Sequence, residues 1–211
     1  VILVNQICLE KFNSRITNIV YMGMGEPLLN FKNVLQSTHL IHYGLDFSYR
    51  RITISTAGII KMIKALADSG TTCNLALSLH AANDEKRNQI MPINETNDLN
   101  GLMDALNHFS MTVPGEITFE YVALAGFNDS TQDALELIPL CNLFPVKVNI
   151  IEYNTVDNLP FSKSDSKDLD AFVNLLQRHG IQTNVRRSRG KDIDAACGQL
   201  ANKELPTIEK Q

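Results

Sequence analysis

The sequence lacks a long hydrophobic run, a dense set of cysteines and a strong charge of either sign. No stretch approaches the about 20 consecutive apolar residues that a membrane-spanning helix needs, so we expect no membrane span. The four cysteines, Cys8, Cys73, Cys141 and Cys197, are widely scattered, which argues against the disulfide framework of a small secreted domain. The net charge of −4 argues against a protein that coats nucleic acid by bulk charge.

What the sequence does contain fits one globular domain over residues 1–211. The chain is 44% hydrophobic and 20% charged, which excludes disorder as the main state and allows a sizeable core. No secretion signal is evident, so we expect a cytoplasmic location. The chain begins with Val1 rather than Met, inside what resembles a structural element, and we expect an upstream part to be missing.

Strand-like and helix-like patterns alternate along the chain. Short apolar or alternating runs predict strands at 19–22, 51–55, 73–79, 117–124, 146–151 and 182–187. Helical spacing of apolar residues predicts helices at 1–12, 34–43, 59–69, 98–109, 131–142 and 167–179. This alternation predicts parallel strands joined by crossover helices. Both a doubly wound sheet and a barrel satisfy this alternation. Because about six strands are predicted and a complete TIM barrel needs about eight, an α/β fold with a partial (β/α)6 TIM-like barrel fits better than a closed barrel.

Polar and small residues follow several of the predicted strands, where parallel α/β folds bind their ligands. After the first strand, Gly25 permits close approach of a ligand to the backbone, and Glu26 supplies a carboxylate. A tight turn with a solvated glutamate explains the same pattern. After the second strand, helix capping explains the hydroxyl group equally well. After the third strand, a histidine converges with these polar ends. The candidate site residues are Gly25, Glu26, Ser55, Ser78, Leu79, His80 and Asn154.

Two further features also have competing interpretations. Glu120 alternates with Phe119 and Tyr121 in a predicted strand, so we expect it to point into the barrel interior, where a charge needs a partner. Cys197 follows a basic run at 186–191 and is flanked by small residues, which is typical of a reactive thiolate; a buried structural cysteine is the alternative. The basic run itself is either a phosphate-facing patch or a solvated edge.

Seven segments stand in a characteristic order along the chain. They are MGMGEPLLN (22–30), RRITIST (50–56), LSLHAANDEKR (77–87), MPIN (91–94), FEYVAL (119–124), KVNIIEYN (147–154) and RGKDIDAACGQLA (189–201). Together they closely resemble the RlmN-type dual-specificity RNA methyltransferases of the radical S-adenosylmethionine (SAM) superfamily. The resemblance spans nearly the whole chain.

The resemblance implies methylation of C2 of adenine in 23S ribosomal RNA and in some transfer RNAs. It implies SAM and a four-iron–four-sulfur cluster as cofactors, and an electron donor such as flavodoxin. One SAM molecule methylates a cysteine, and a second is reductively cleaved to the radical that activates this methyl group. By resemblance, Cys197, in a loop over 188–201, carries the methyl group, and the seven candidate residues contact SAM.

The chain departs from the family pattern in one respect, since it lacks the cluster motif CxxxCxxC. The resemblance therefore implies that the metal ligands, the first barrel strand and an N-terminal domain lie outside this chain, and that the chain alone is inactive. A cluster-less, non-catalytic RNA-binding remnant is one alternative.

Two further hypotheses, the second and third alternatives, assign the chain to different classes of enzyme. Cfr-type methyltransferases, which modify C8 of adenine, carry GEALAN where this chain has GEPLLN at 25–30, and this difference favours C2. The third hypothesis is an aldolase-like barrel enzyme, which predicts a Schiff-base lysine or paired carboxylates at strand ends. Lys147 lies inside a predicted strand. It lacks an accompanying acid–base set in the sequence.

Overall fold

A computed structural model of the chain describes residues 1–22, 25–155 and 159–186. Within them, the strands are β1 (Ile19–Tyr21), β2 (Ile52–Thr56), β3 (Asn74–Ser78), β4 (Ile117–Ala123), β5 (Val146–Glu152) and β6 (Gln182–Arg186). The helices are α1 (Ile2–Phe12), α2 (Phe31–Leu45), α3 (Ile60–Ala67), α4 (Asp84–Ile90), α5 (Leu99–Thr112), α6 (Thr131–Cys141) and α7 (Ser166–Arg178). Short 3₁₀ segments occur at Pro27–Asn30, Tyr49–Arg51 and Pro92–Glu95.

The strands form one parallel sheet in the order in which they occur in the chain, β1 to β6. Each strand pairs in parallel with the next, so every connection crosses back over the sheet through at least one helix. The predicted α/β fold with a partial (β/α)6 barrel is confirmed. Because all strands run the same way, their carboxyl ends meet at one edge. The assignment of residues 1–211 to one domain stays a prediction.

The hydrophobic core lies on one face of the sheet, against the helices. In β4, Phe119 and Tyr121 are fully buried, and their rings meet those of Phe144 and Phe172 at centroid distances of 6.1 Å and 5.3 Å. The alternate residues of the same strand face the other side, which is the concave interior of the partial barrel. Within the described residues, no helix combines the length and apolar character needed to cross a bilayer.

One helix departs from the sequence prediction. α4 was not predicted, because its sequence DEKRNQI contains one apolar residue and shows no helical hydrophobic period. It forms because Asn83 caps it, accepting a hydrogen bond from the Lys86 N–H at 2.8 Å, and because Asp84 and Glu85 lie in its first turn. Its one buried residue is Arg87, which a hydrophobic pattern cannot identify.

Candidate functional site

The structure brings the described candidate residues to the carboxyl edge of the sheet. Gly25 and Glu26 follow β1, Ser55 is the penultimate residue of β2, and Asn154 follows β5. The third group begins at the last residue of β3 and comprises Ser78, Leu79 and His80. Cys197 and the loop over 188–201 lie outside the described residues.

Glu26 joins two loops of this edge. Its Oε1 accepts a hydrogen bond from the Leu28 N–H at 3.0 Å and so caps the 3₁₀ segment after β1. Its Oε2 accepts from the Ala57 N–H, beyond β2, at 2.7 Å. The side chain is therefore held in place rather than simply solvated, and each oxygen keeps a lone pair for one further donor. Glu26 and Gly25 border a cleft of about 480 Å³ beside β1.

Ser55 is buried but does not cap the following helix. The Thr56 hydroxyl accepts from the Gly58 N–H at 3.1 Å, and the Asn97 side chain accepts from the Ile60 N–H at 2.9 Å. Neither hydroxyl caps α3, whose N-cap residue is Ile59, so the capping interpretation of the hydroxyl-rich turn over 55–58 is wrong. Since its neighbours Ile54 and Thr56 face the core, Ser55 faces the concave interior, where it pairs in register with Ala76.

His80 occupies a strained turn directly after β3. Its φ is +58°, in the left-handed region that only a few per cent of non-glycine residues adopt. The Ala81 N–H donates to the Leu79 carbonyl at 2.8 Å, closing a three-residue γ-turn around His80. The His80 carbonyl accepts from the Asn128 side chain at 2.6 Å. Strain of this kind persists only where surrounding contacts fix it, and it clusters at functional sites.

The His80 ring is neutral. Its Nδ1 accepts a hydrogen bond from the Val122 N–H at 3.1 Å, so the ring proton is on Nε2. Burial, together with the nearby positive charge of Arg87, lowers the pKa of His80 to about 4. The carboxyl edge therefore contains an uncharged imidazole with one fixed N–H donor.

A row of polar side chains crosses the concave interior next to this edge. Ser78, Glu120, Asn149 and Asn184 stand opposite one another in register on β3 to β6. Glu120 Oε1 accepts from the Asn149 amide at 2.9 Å, and Asn149 Oδ1 accepts from the Asn184 amide at 3.4 Å. The predicted inward direction of Glu120 is confirmed.

The charge partner expected for Glu120 is also present. Arg186 places its Nη1 3.6 Å from Oε2 of this carboxylate. Oε2 itself makes no hydrogen bond to the described residues. In the basic run, Arg186 therefore faces the barrel interior. Residues 187–191 lie outside the described residues, so the choice between a phosphate-facing patch and a solvated edge stays a prediction for them.

Sequence reasoning missed several residues of this edge. Asn149 was recoverable, because it alternates with Val148 and Ile150 in β5, which neighbours the strand that carries Glu120. Asn184 lies one strand further away, on β6, between Thr183 and Val185, where the alternation is weaker. Asn128 and Arg87 had no comparable signal. Asn128 lies in a loop, and a lone arginine in a polar helix usually faces solvent.

The described residues do not fit an iron–sulfur cluster. Cys8 lies on α1, Cys73 precedes β3, and Cys141 ends α6, so these thiols belong to separate elements. Burial raises the pKa of the Cys73 thiol, and raises that of Cys141 to about 12, which opposes the thiolate form that a metal needs. Among the described residues, no group of three or more histidine, cysteine or acidic side chains is arranged to hold a metal ion.

Comparisons with known proteins agree with this geometry. The family model described as "Radical SAM superfamily" matches residues 7–138. A crystal structure of a radical SAM methyltransferase from Sphaerobacter thermophilus superposes with a TM-score of 0.89 at 36% identity, over 94% of this chain and 58% of that chain.

Two curated relatives carry the name "Probable dual-specificity RNA methyltransferase RlmN". The protein from Cytophaga hutchinsonii is 51% identical over 207 residues, which is 97% of this chain and 57% of the relative. The protein from Christiangramia forsetii is 48% identical over 194 residues, which is 91% of this chain and 55% of the relative. The chain thus spans a little over half the length of the curated relatives it matches.

Proposed function

This chain belongs to the radical SAM superfamily, and on that premise we propose that it forms the SAM-binding part of an RNA methyltransferase acting on C2 of adenine. The observation that carries the proposal is the convergence of its candidate residues at one edge of the sheet, where a carboxylate and a neutral imidazole are both held by backbone hydrogen bonds. The relatives' RNA methyltransferase name supports the choice of RNA as substrate.

The residues at this edge match the polar groups of SAM. Glu26, with its remaining lone pairs, suits the ammonium group of the methionine part. Gly25 has a φ of +101°, and no atom lies within 4 Å of the place where a Cβ would be, so the backbone there is open to a ligand. His80 offers its Nε2–H to an acceptor. Ser55, Ser78 and Asn154 supply groups that both donate and accept. Leu79 is fully buried, and its backbone is bonded to Glu120, Ala81 and Arg87, so in this proposal it positions its neighbours Ser78 and His80.

When bound, SAM supplies an electrophilic methyl group and, after reductive cleavage, a radical that abstracts hydrogen. In our proposal, the thiolate of Cys197 would take the methyl group from the sulfonium of SAM, with S-adenosylhomocysteine as the leaving group, and hold it as a thioether. Arg189 and Lys191, near it in the sequence, favour the thiolate form. The described residues contain no set of ligands for an iron–sulfur cluster. The CxxxCxxC motif is also absent from this sequence.

The finer assignments are also proposals. The substrates are adenines of 23S ribosomal RNA and of transfer RNA, flipped out of their stack to reach Cys197, and an electron donor such as flavodoxin supplies the reducing equivalents. The protein works in the cytoplasm, where these RNAs are found. GEPLLN at 25–30 favours C2 of adenine over the C8 position of the Cfr-type enzymes.

A chimaeric enzyme tests the methyltransferase proposal. The part of the Cytophaga hutchinsonii relative that precedes the matched region is fused to residues 1–211, and the product is reconstituted anaerobically with iron and sulfide. We expect 2-methyladenosine in 23S ribosomal RNA, detected by nucleoside mass spectrometry. Cys197→Ala should abolish the methylated product while SAM cleavage continues. Methylation by the Cys197→Ala chimaera contradicts the role of this cysteine, and 8-methyladenosine as the product favours the Cfr-type alternative.

A further inference from the structure

We infer that Arg87 is a positioning residue of the SAM site, which holds the carboxyl ends of β2 and β3 in the geometry that binds the cofactor. The inference rests on the proposed function. Arg87 is 0% exposed, so it contacts no ligand and acts only through the residues it touches.

The guanidinium group of Arg87 binds three backbone carbonyls at two strand ends. Its Nη2 donates to the Ala57 carbonyl at 2.8 Å, just beyond β2, and to the Ser78 carbonyl at 3.2 Å, at the end of β3. Its Nε donates to the Leu79 carbonyl at 3.1 Å. A planar group with five donors in fixed directions suits this task, which a single ammonium cannot perform.

Through Ala57, Arg87 is connected to the candidate carboxylate. The Ala57 carbonyl accepts from Arg87, and the Ala57 N–H donates to Glu26 Oε2 at 2.7 Å. One residue therefore lies between the buried guanidinium and Glu26. A shift of the Ala57 segment would move the carboxylate that we assign to the SAM ammonium group.

Through Leu79, Arg87 also fixes the turn that carries His80. The Leu79 carbonyl accepts from both the Arg87 Nε and the Ala81 N–H, at 3.1 Å and 2.8 Å. The latter bond closes the γ-turn in which His80 has its positive φ. Because such a conformation is unfavourable on its own, it needs contacts that fix it, and the Arg87 bond to Leu79 is one of them.

The surroundings of Arg87 indicate a role in geometry rather than in stability. Within the described residues it has no carboxylate partner; its Nη1 donates to the Asn94 side chain at 2.5 Å, and Asn94 in turn donates to Asp84 at 2.8 Å. Burial lowers the pKa of Arg87 to about 10 against the opposing attraction of nearby Asp84, so the group is still charged at neutral pH. A buried charge whose direct hydrogen-bond partners are all neutral is a costly way to stabilise a fold.

SAM titration of the 211-residue chain tests the inference, with Lys86→Met as the matched control. Lys86 is next in sequence and forms an ion pair with buried Asp133 at 2.5 Å, so its loss also lowers stability, but it has no bond to either strand end. Well below the melting temperatures, we expect Arg87→Lys to raise the Kd for SAM about tenfold. Lys86→Met should leave the Kd within about twofold of the wild-type value. An unchanged Kd in Arg87→Lys overturns the inference.

Amide hydrogen exchange gives a second readout, which does not depend on SAM. In Arg87→Lys, we expect exchange at the Ala57 N–H to accelerate about tenfold while the Ile150 N–H of β5 exchanges within about twofold of the wild-type rate. Equal acceleration at both positions assigns Arg87 to global stability and overturns the inference. If Arg87→Lys does not fold, Asn94→Ala, which removes one guanidinium partner, replaces it. We expect Asn94→Ala to accelerate exchange at the Ala57 N–H but not at the Ile150 N–H, and an unchanged exchange rate at Ala57 overturns the inference.

The two readouts separate this inference from the proposed function. Absence of SAM binding by the wild-type chain overturns the proposed function and, with it, the cofactor part of the inference. Wild-type binding that Arg87→Lys leaves unchanged overturns the inference and leaves the proposed function in place.

Discussion

The backbone N–H of Val122 donates to Nδ1 of His80 across 3.1 Å. This bond fixes the tautomer of a residue at the carboxyl edge, because a nitrogen that accepts a hydrogen bond cannot carry the ring proton. Protonation of Nδ1 would break the bond and place a second positive charge near Arg87. The low pKa of His80, about 4, follows from burial and from this neighbouring charge.

The His80 pKa predicts a pH dependence of stability. An unfolded histidine titrates near pH 6.5, whereas His80 in the folded chain stays neutral down to about pH 4. Between these values the unfolded state binds more protons, so acidification destabilises the fold, by on the order of 3 kcal/mol across the whole window. His80→Asn removes this contribution, while an asparagine oxygen keeps an acceptor and the residue tolerates a positive φ.

Urea unfolding of the wild type and of His80→Asn, at several pH values from about 7 to about 4, measures the effect. The free energy of unfolding should fall more steeply with acidification in the wild type. Parallel pH profiles for the two proteins would show that His80 titrates normally.

Glu26→Gln should lower both the free energy of unfolding and the affinity for SAM. The amide replaces one of two acceptor oxygens with a donor, which then faces a backbone N–H from either Leu28 or Ala57. We expect a loss of about 1–3 kcal/mol in unfolding free energy and weaker SAM affinity. Glu10→Gln, on the exposed side of α1, serves as the control and should change neither value. SAM affinity equal to that of the wild type would remove Glu26 from the site.

Two glycine substitutions should have opposite effects. Gly58 has a φ of +106°, and a Cβ there would lie 3.0 Å from Leu102 Cδ2 and 3.2 Å from Arg87 Nη2. Gly58→Ala is therefore expected to cost about 1–3 kcal/mol. Gly44, near the end of α2, has no atom within 4 Å of its Cβ position, and Gly44→Ala should stabilise the helix by up to about 1 kcal/mol. Thermal unfolding that ranks the two variants in the reverse order would contradict this description of the Gly58 turn.

The Glu120–Asn149 pair predicts a measurable coupling inside the barrel. Asn149→Ala leaves Glu120 Oε1 without the amide that donates to it at 2.9 Å, and should cost about 1–3 kcal/mol. In a double-mutant cycle with Glu120→Ala, the second substitution should cost less when the first is present, with a coupling of about 1 kcal/mol. Strictly additive losses in denaturant unfolding would show that the contact contributes nothing.

The strands and the position of the candidate site follow from the sequence because each rests on a local pattern, whereas the order β1 to β6 distinguishes the barrel from a doubly wound sheet only in the structure. Period-two apolar runs mark the strands, and in a parallel sheet the residues after them must share an edge. This is why Glu26 and His80 could be placed without coordinates. Where the pattern had two explanations, as at Ser55, only the structure decides, because capping depends on which side chain faces the helix end.

The contacts that fix the site could not be predicted, because they join residues far apart in the chain. Arg87 lies in a helix without hydrophobic periodicity, and its bonds reach back 30 residues to Ala57. The turn with positive φ at His80 is likewise held in part by contacts with Asn128 and Val122, which lie more than 40 residues later in the chain. Buried polar networks of this kind leave no period in the sequence.

The most direct test of the central claim is a map of where SAM binds. Amide chemical shifts of the isotope-labelled chain, followed during a titration with millimolar SAM, report the site residue by residue. We predict the largest changes at Gly25, Glu26, Ser55, Asn154 and the Ser78–His80 segment. The account would be contradicted by shift changes confined to the opposite edge of the sheet, around the cleft that contains Glu116 and Gly180. It would also be contradicted by the absence of any localised shift change.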